Sequence, residues 1–212
     1  MRRGWGCRRR SATTYSVGGL AEARLGAGRS ARHVLFVAIG TGIAAAHVID
    51  GLAAAARTAL PGRLGHVLVR PGGPRVRLRG ATDAWRRSRP PRRSPAATRS
   101  WPAPPPERTG GERAEVATRA AAGDPLAQQV WTDAVEALAD GLATGQALFD
   151  VEAVVLGGGL ARAGAQLLDP LRAALHDRMT FHREPRLVPA ALGAEAGCLG
   201  AALLALDDLE KP

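Results

Sequence analysis

Two short apolar runs, each closed by glycines, organise this chain: His33–Ile39 before Gly40-Thr41-Gly42, and Val151–Leu156 before Gly157-Gly158-Gly159. Runs of that length, rich in Val, Ile, Leu and Ala and bounded by turn residues, predict buried strands. Ile43–Ile49 predicts a returning strand that ends at the Asp50-Gly51 hairpin signal. Gly19–Ala27 predicts a short helix stopped by glycine, and Gly65–Arg70 a further strand closed by Pro71-Gly72-Gly73. Asp124-Pro125 marks a helix start, with a capping carboxylate and proline in the first turn. Leu126, Val130, Ala134, Leu138 and Leu142 then recur every four residues, predicting an apolar helical stripe that runs to about Phe149. Leu167–His176 predicts a helix interrupted at Asp169-Pro170, Arg186–Pro189 a short strand, and Ala194–Leu206 an Ala/Leu-rich helix. Strands alternating with helices predict an α/β layered architecture.

The pattern stops between Gly73 and Arg113, where Pro, Arg, Ser and Gly mix without periodicity. No secondary structure is expected there. The chain therefore reads as four parts: an irregular N-terminus (1–18), a first ordered piece (19–72), the Arg/Pro-rich segment (73–113) and a C-terminal α/β piece (114–212). Charge follows the same division. The net charge is +10, but five arginines in Met1–Arg10 and eleven in 73–113 supply more than all of it, so the regular parts are mildly acidic. A basic chain invites a nucleic-acid reading. Lys211 is the one lysine, however, and the basic segment interleaves only Trp85 and Trp101, little for bases to stack on. Nucleic acid is not the expected partner.

Cys7 and Cys198 have no ligand-like spacing, so neither a disulfide framework nor a zinc cluster is expected, and a reduced cytoplasmic setting is the default. No apolar run reaches the roughly 18 residues of a membrane span. The arginine-rich opening is followed by no apolar core and does not read as a signal peptide.

The two glycine turns carry the candidate chemistry. Glycine lets a backbone turn sharply and lets N–H groups approach an anion with no Cβ in the way. Thr41, between Gly40 and Gly42, adds a hydroxyl that can donate to a phosphate oxygen. Gly157, Gly158 and Gly159 lie between a strand and a helix, where a nucleotide can pack on backbone and a helix N-terminus. Either turn alone also occurs in ordinary connections. Their order and spacing, with an Ala/Gly-rich helix after them, are more specific.

With GLAEARLGAG (19–28), VAIGTGIAAAHVIDG (37–51), LGHVLVRPGG (64–73), VVLGGGLARAG (154–164) and LGAEAGCLGAALLAL (192–206), the chain resembles the ROK family of repressors and sugar kinases, and most of all its glucokinase-like members from GC-rich bacteria. The resemblance implies an actin-like ATPase (ribonuclease H-like) α/β fold, mainly its C-terminal lobe. It implies ATP with Mg2+ as cofactor, a hexose as substrate and a possible homo-oligomer. It places Gly40, Thr41 and Gly42 on the second phosphate turn and Gly157, Gly158 and Gly159 on the adenosine-side turn. His66 falls on a histidine that approaches the sugar and helps hold a structural zinc; without the flanking match it reads as a half-buried strand histidine.

Departures from the family pattern are as informative. There is no opening Asp-x-Gly-Gly-Thr phosphate loop, and Thr13-Thr14-Tyr15 stands where the family has Asn-Asp with its catalytic aspartate. No catalytic residue is assigned. Arg63 replaces the sugar-binding glutamate, and the zinc cysteine motif is missing. The chain is therefore expected to be an inactive, truncated kinase fragment. The repressor branch of the family is the alternative, although Met1–Gly19 holds no winged-helix pattern. Shifted reading frames account for the departures together. Permitted codons for Asp83–Pro95, read one frame over, give Cys-Leu-Glu-Ala-Val-Ala, the family's continuation after its last zinc cysteine. In the same way Val76–Arg79 yields Cys-Ala-Cys-Gly, Thr13–Tyr15 yields Asn-Asp-Val and Arg57–Gly62 yields His-Gly-Ala-Ala-Gly, each where the family motif belongs. On this reading the first ordered piece lacks partner strands and exposes sheet edges that invite aggregation.

Overall fold

The computed structural model describes residues 13–40, 42–54, 64–69 and 111–209. Most of the Arg/Pro-rich segment, the arginine-rich opening and Thr41 lie outside these residues.

Helix α1, Thr14–Arg24, begins five residues before the expected Gly19. Its start is a capping box: the Thr13 side chain accepts the Ser16 N–H, and the Ser16 hydroxyl oxygen accepts the Thr13 N–H at 2.9 Å. A serine in the place of the usual Glu or Gln hides this signal in the sequence. Strands β1 (His33–Ile39), β2 (Ile43–Ile49) and β3 (Leu52–Ala53) follow as a meander. Helices α2 (Gly111–Ala121) and α3 (Pro125–Phe149), strand β4 (Ala153–Gly157), helix α4 (Ala165–His176), strand β5 (Arg186–Pro189) and helix α5 (Ala196–Leu209) complete the order.

All five strands form one sheet, ordered β3-β2-β1-β4-β5. β1 is antiparallel to β2 but parallel to β4, which is parallel to β5. The first ordered piece and the C-terminal piece thus meet in the middle of a single sheet. The expectation of unpaired edges fails for β1, because β4 covers the side that the N-terminal piece leaves open.

Alternation along the central strands explains the layers. Val34 and Phe36 of β1 join Val155 of β4 in a cluster with Leu20 and Ala23 of α1, and Leu203 and Leu204 of α5 pack on it. Leu35, Val37 and Ile39, with Val154 and Leu156, point the other way into Leu138, Leu142, Leu167, Leu171 and Leu175 of α3 and α4. With helices on both faces, the strands read as continuous apolar runs. α1 and α5 cross closely: a Cβ at Gly200 would stand 1.7 Å from the Val17 carbonyl oxygen.

Three other elements depart from expectation. Leu64–His66 is a turn of 3-10 helix, with only an isolated bridge at Leu68, where a strand over Gly65–Arg70 was predicted. The buried Leu64 pulls this segment onto the core, and the Val67 N–H closes the turn on the Leu64 carbonyl at 3.0 Å. On α3 the every-four stripe holds at Leu138 and Leu142 but leaves Leu126 exposed. A helix turns about 100° per residue, so a spacing of four drifts roughly 40° per step; Ala127, Trp131 and Val135 hold the inward side instead. Finally, α4 runs unbroken through Pro170. Proline cannot donate to the Gln166 carbonyl four residues back, and the Trp131 indole N–H donates to that oxygen instead at 3.2 Å.

Candidate functional site

Because β1, β4 and β5 are parallel, their C-terminal ends open on the same edge of the sheet. Ala38 pairs with Gly157 and Leu156 with Pro189, so the turns after the three strands are neighbours. In open α/β sheets that edge is where ligands bind.

Each turn is built differently. After β1, the Gly40 N–H donates to the Gly42 carbonyl at 2.8 Å, closing a tight loop whose central residue, Thr41, lies outside the described residues. After β4, Gly158 adopts φ +88°, and a Cβ there would lie 2.4 Å from the Ile39 carbonyl oxygen. Only glycine fits, because the backbone is both left-handed and pressed against the end of β1. Gly157 is buried, and a Cβ on it would meet the Phe36 ring at 2.8 Å. Gly40 and Gly159 differ from both: no atom lies within 4 Å of where their Cβ would be. The two turns that the sequence singled out are therefore brought together, with two glycines facing open space.

One expectation about the second turn needs correcting. The glycines do not run into an α-helix N-terminus; Leu160–Ala163 forms a 3-10 turn, and α4 begins only after Gly164 at φ +58°. The polar ligand surface here is backbone at the turn, with no helix end behind it.

The third loop, after β5, was not anticipated as part of the edge. The Ala190 N–H donates to the Leu156 carbonyl at 2.8 Å, and Ala190 Cβ would lie 3.6 Å from a Cβ on Gly157. Glu22, fully buried on α1, holds the next two residues: Oε2 accepts the Ala191 N–H at 3.1 Å and Oε1 the Leu192 N–H at 2.8 Å. A lone acid among the apolar residues of GLAEARLGA was the visible signal for Glu22.

His66 sits apart on the 3-10 turn, half-buried, in a segment packed on β2 and α3. Among the described residues no three His, Cys, Asp or Glu groups gather as a metal site, and Cys198 is exposed on α5. The described residues do not fit a structural zinc at His66. At the place expected for a catalytic base, Thr13 is engaged as the helix cap, its hydroxyl 2.9 Å from that of Ser16.

A second histidine, His47 on β2, has its Nε2 buried without a hydrogen-bond partner. Its ring lies 4.9 Å from that of Phe149 and 6.2 Å from that of His33. Burial, and then the neighbouring His33, push its pKa below the ordinary imidazole value.

Among the described residues no helix is long and apolar enough to cross a membrane. The chain is 34% identical over 184 residues to a bifunctional enzyme NanE/NanK of Brucella melitensis, covering 87% of this chain and 32% of that protein. It is 32% identical over 197 residues to a glucokinase of Thermotoga maritima, covering 86% of this chain and 61% of that one. The chain thus spans from about a third to three-fifths of these relatives. A ROK hexokinase of Thermus thermophilus superposes with a TM-score of 0.74 at 31% identity, over 93% of this chain and 65% of that one. A ROK family glucokinase of Streptomyces griseus, solved with glucose and AMPPNP, superposes with a TM-score of 0.69 at 24% identity, over 92% of this chain and 67% of that one. The likeness runs through the strands that carry the glycine edge, and the fold is that of these actin-like ATPase-type sugar kinases. With the ROK family model matching residues 12–208, nearly the whole chain, this protein belongs to the ROK family.

Proposed function

We propose that this chain is a ROK sugar-kinase unit that binds ATP with Mg2+ along the glycine edge and does not itself phosphorylate a sugar. The observation that carries the reading is the pair of open glycines, Gly40 and Gly159, on adjacent turns at the C-terminal ends of parallel strands. Glycine N–H groups at Gly40 and Gly42, with the Thr41 hydroxyl, would meet the phosphates; Gly157, Gly158 and Gly159 would lie under the adenosine. His66 would face the hexose. Phosphoryl transfer rests on positioning and charge stabilisation, with a base to take the proton of the attacking hydroxyl. Thr13, Thr14 and Tyr15 offer no carboxylate for that role. Among the known relatives, the glucokinase and the hexokinase point to a hexose as the sugar.

Titration calorimetry with a non-hydrolysable Mg-ATP analogue, with and without glucose, tests the reading beside a coupled assay for glucose phosphorylation. Nucleotide binding without turnover is the expected result. Turnover would refute the inactive part, and absence of any nucleotide binding would refute the whole. Glucose binding without nucleotide would favour a sugar-responsive regulator. We further propose that the Arg/Pro-rich segment is a sequence read out of frame. Resequencing the DNA that encodes residues 55–113 checks this: single-base corrections should restore a Glu-x-Gly-His and the cysteine motif, and an unchanged read would sink it.

A further inference from the structure

Glu22 is the one fully buried carboxylate among the described residues, and a charge is placed there only at a cost that its hydrogen bonds must offset. Three backbone N–H groups do this. One is local: Ala27 donates to Oε2 at 3.0 Å, just past the end of α1. The other two, from Ala191 and Leu192, come from the loop that joins β5 to α5, about 170 residues away along the chain. That loop begins at Ala190, which is tied to β4 through the Leu156 carbonyl and lies against Gly157.

Resting on the nucleotide reading above, we propose that Glu22 is a positioning residue for the glycine edge. Its carboxylate fixes the loop 190–193 against the turn 157–159 and so holds the three strand ends level for a nucleotide. α1 supplies the fixed point, because Arg24, two residues on, is clamped to the Asp207 carboxylate by two bonds of 2.8 Å and to the Gly51 carbonyl at 2.7 Å. A loop without side-chain anchors of its own would otherwise be free to lift from Gly157. The residue touches no ligand atom and acts through the loop alone. The glycine at position 26 belongs to the same device: a Cβ there would stand 2.1 Å from Glu22 Oε2.

The test compares the full chain with Glu22→Gln and Gly26→Ala. Glutamine keeps the shape but turns an N–H2 group toward donors. Gly26→Ala keeps the charge and displaces it, which covers the case in which Glu22→Gln does not fold. Hydrogen–deuterium exchange should quicken at 190–193 and 157–159 while α3 and α4 stay protected. Affinity for the Mg-ATP analogue should fall by about threefold or more, the range of couplings carried through packed elements. Leu175→Ala, a core truncation on the opposite face of the sheet, is the control for general destabilisation and should leave affinity unchanged. Exchange rising evenly over the chain, or affinity unaltered while the loop loosens, overturns the proposal. If the unsubstituted chain binds no nucleotide, the function proposed above fails by itself, and the exchange pattern alone decides whether Glu22 holds the loop.

Discussion

Replacing Gly158 and Gly159 by alanine, one at a time, separates what the fold demands from what a ligand would demand. At Gly158, alanine must take φ +88°, a left-handed conformation that costs an L-residue about 1–2 kcal/mol. Its Cβ would also lie 2.4, 2.7 and 2.8 Å from the O, C and N of Ile39, all backbone. Backbone cannot swing away as a side chain can, so the end of the β1–β4 ladder, where Ala38 pairs with Gly157, must open. Each ladder hydrogen bond lost costs about 1 kcal/mol. Gly158→Ala should therefore destabilise by about 3 kcal/mol, the sum of these contributions. Gly159 is different: φ −62° and ψ −36° suit any residue, and nothing lies within 4 Å of a Cβ. Alanine there should be neutral or should stabilise by up to about 1 kcal/mol through the unfolded chain. Urea unfolding followed by circular dichroism reads both, and with a slope of about 1–3 kcal/mol per molar the two midpoints should differ by more than about 1 M. Equal midpoints, or a Gly158→Ala variant within about 0.5 kcal/mol of the parent, would refute the reasoning.

The remaining predictions use the same equilibrium measurement. His47 has a folded pKa below its unfolded one, so the unfolded chain takes up a proton first as pH falls, and stability drops through and below the ordinary imidazole range. The stability difference between His47→Phe and the parent should therefore shift in favour of the variant from pH 7.5 to 5.5; a flat difference would contradict it. Taking the difference sets aside His176, whose pKa Glu184 raises and whose contribution runs the other way, present at low pH and lost as pH rises. Arg24→Met should cost about 2 kcal/mol, since it strips a bidentate partner from Asp207 and a donor from the Gly51 carbonyl; the paired Arg24→Met/Asp207→Asn variant should cost less than the sum. Trp131→Phe leaves the Gln166 carbonyl without its indole donor, at about 1–3 kcal/mol. In a Pro170→Ala background, which restores the missing helix N–H, that cost should shrink, and an unchanged cost would mean that the indole bond is incidental.

Local signals were legible where one chain segment decides its own shape. β1, β2 and β5 lie where the apolar runs predict them, and the Asp124 cap places the start of α3 through the N–H groups of Leu126 and Ala127. What could not be read locally was settled by distant partners. Pro170 looks like a break until Trp131, on another helix, takes up the freed carbonyl. Leu64 turns a predicted strand into a 3-10 turn because the core draws it in. Residues 19–72 and 114–212 read as separate pieces because no local pattern announces that β4 inserts beside β1. The site followed the same division. The glycine turns were visible as motifs, whereas the loop after β5 joins them only through a carboxylate about 170 residues away.

The glycine edge also shows how far a motif supports a ligand. Of the three glycines in 157–159, two are required without any ligand, Gly157 by the Phe36 ring and Gly158 by the Ile39 backbone. Their presence says that β1 and β4 meet closely and nothing more. Gly159, and Gly40 across from it, meet no such demand, since a methyl group on either would project into open space. A glycine in ordinary backbone with room for a side chain weakens a fold through the freedom it gives the unfolded chain. Two such positions on neighbouring turns, at the edge of a parallel sheet where backbone N–H groups are exposed, fit an occupant from outside the chain. The nucleotide reading therefore rests on Gly40 and Gly159. Gly159→Ala is the substitution that should weaken the Mg-ATP analogue while leaving the urea midpoint in place, and a variant that binds as well as the parent would return all three glycines to the fold alone.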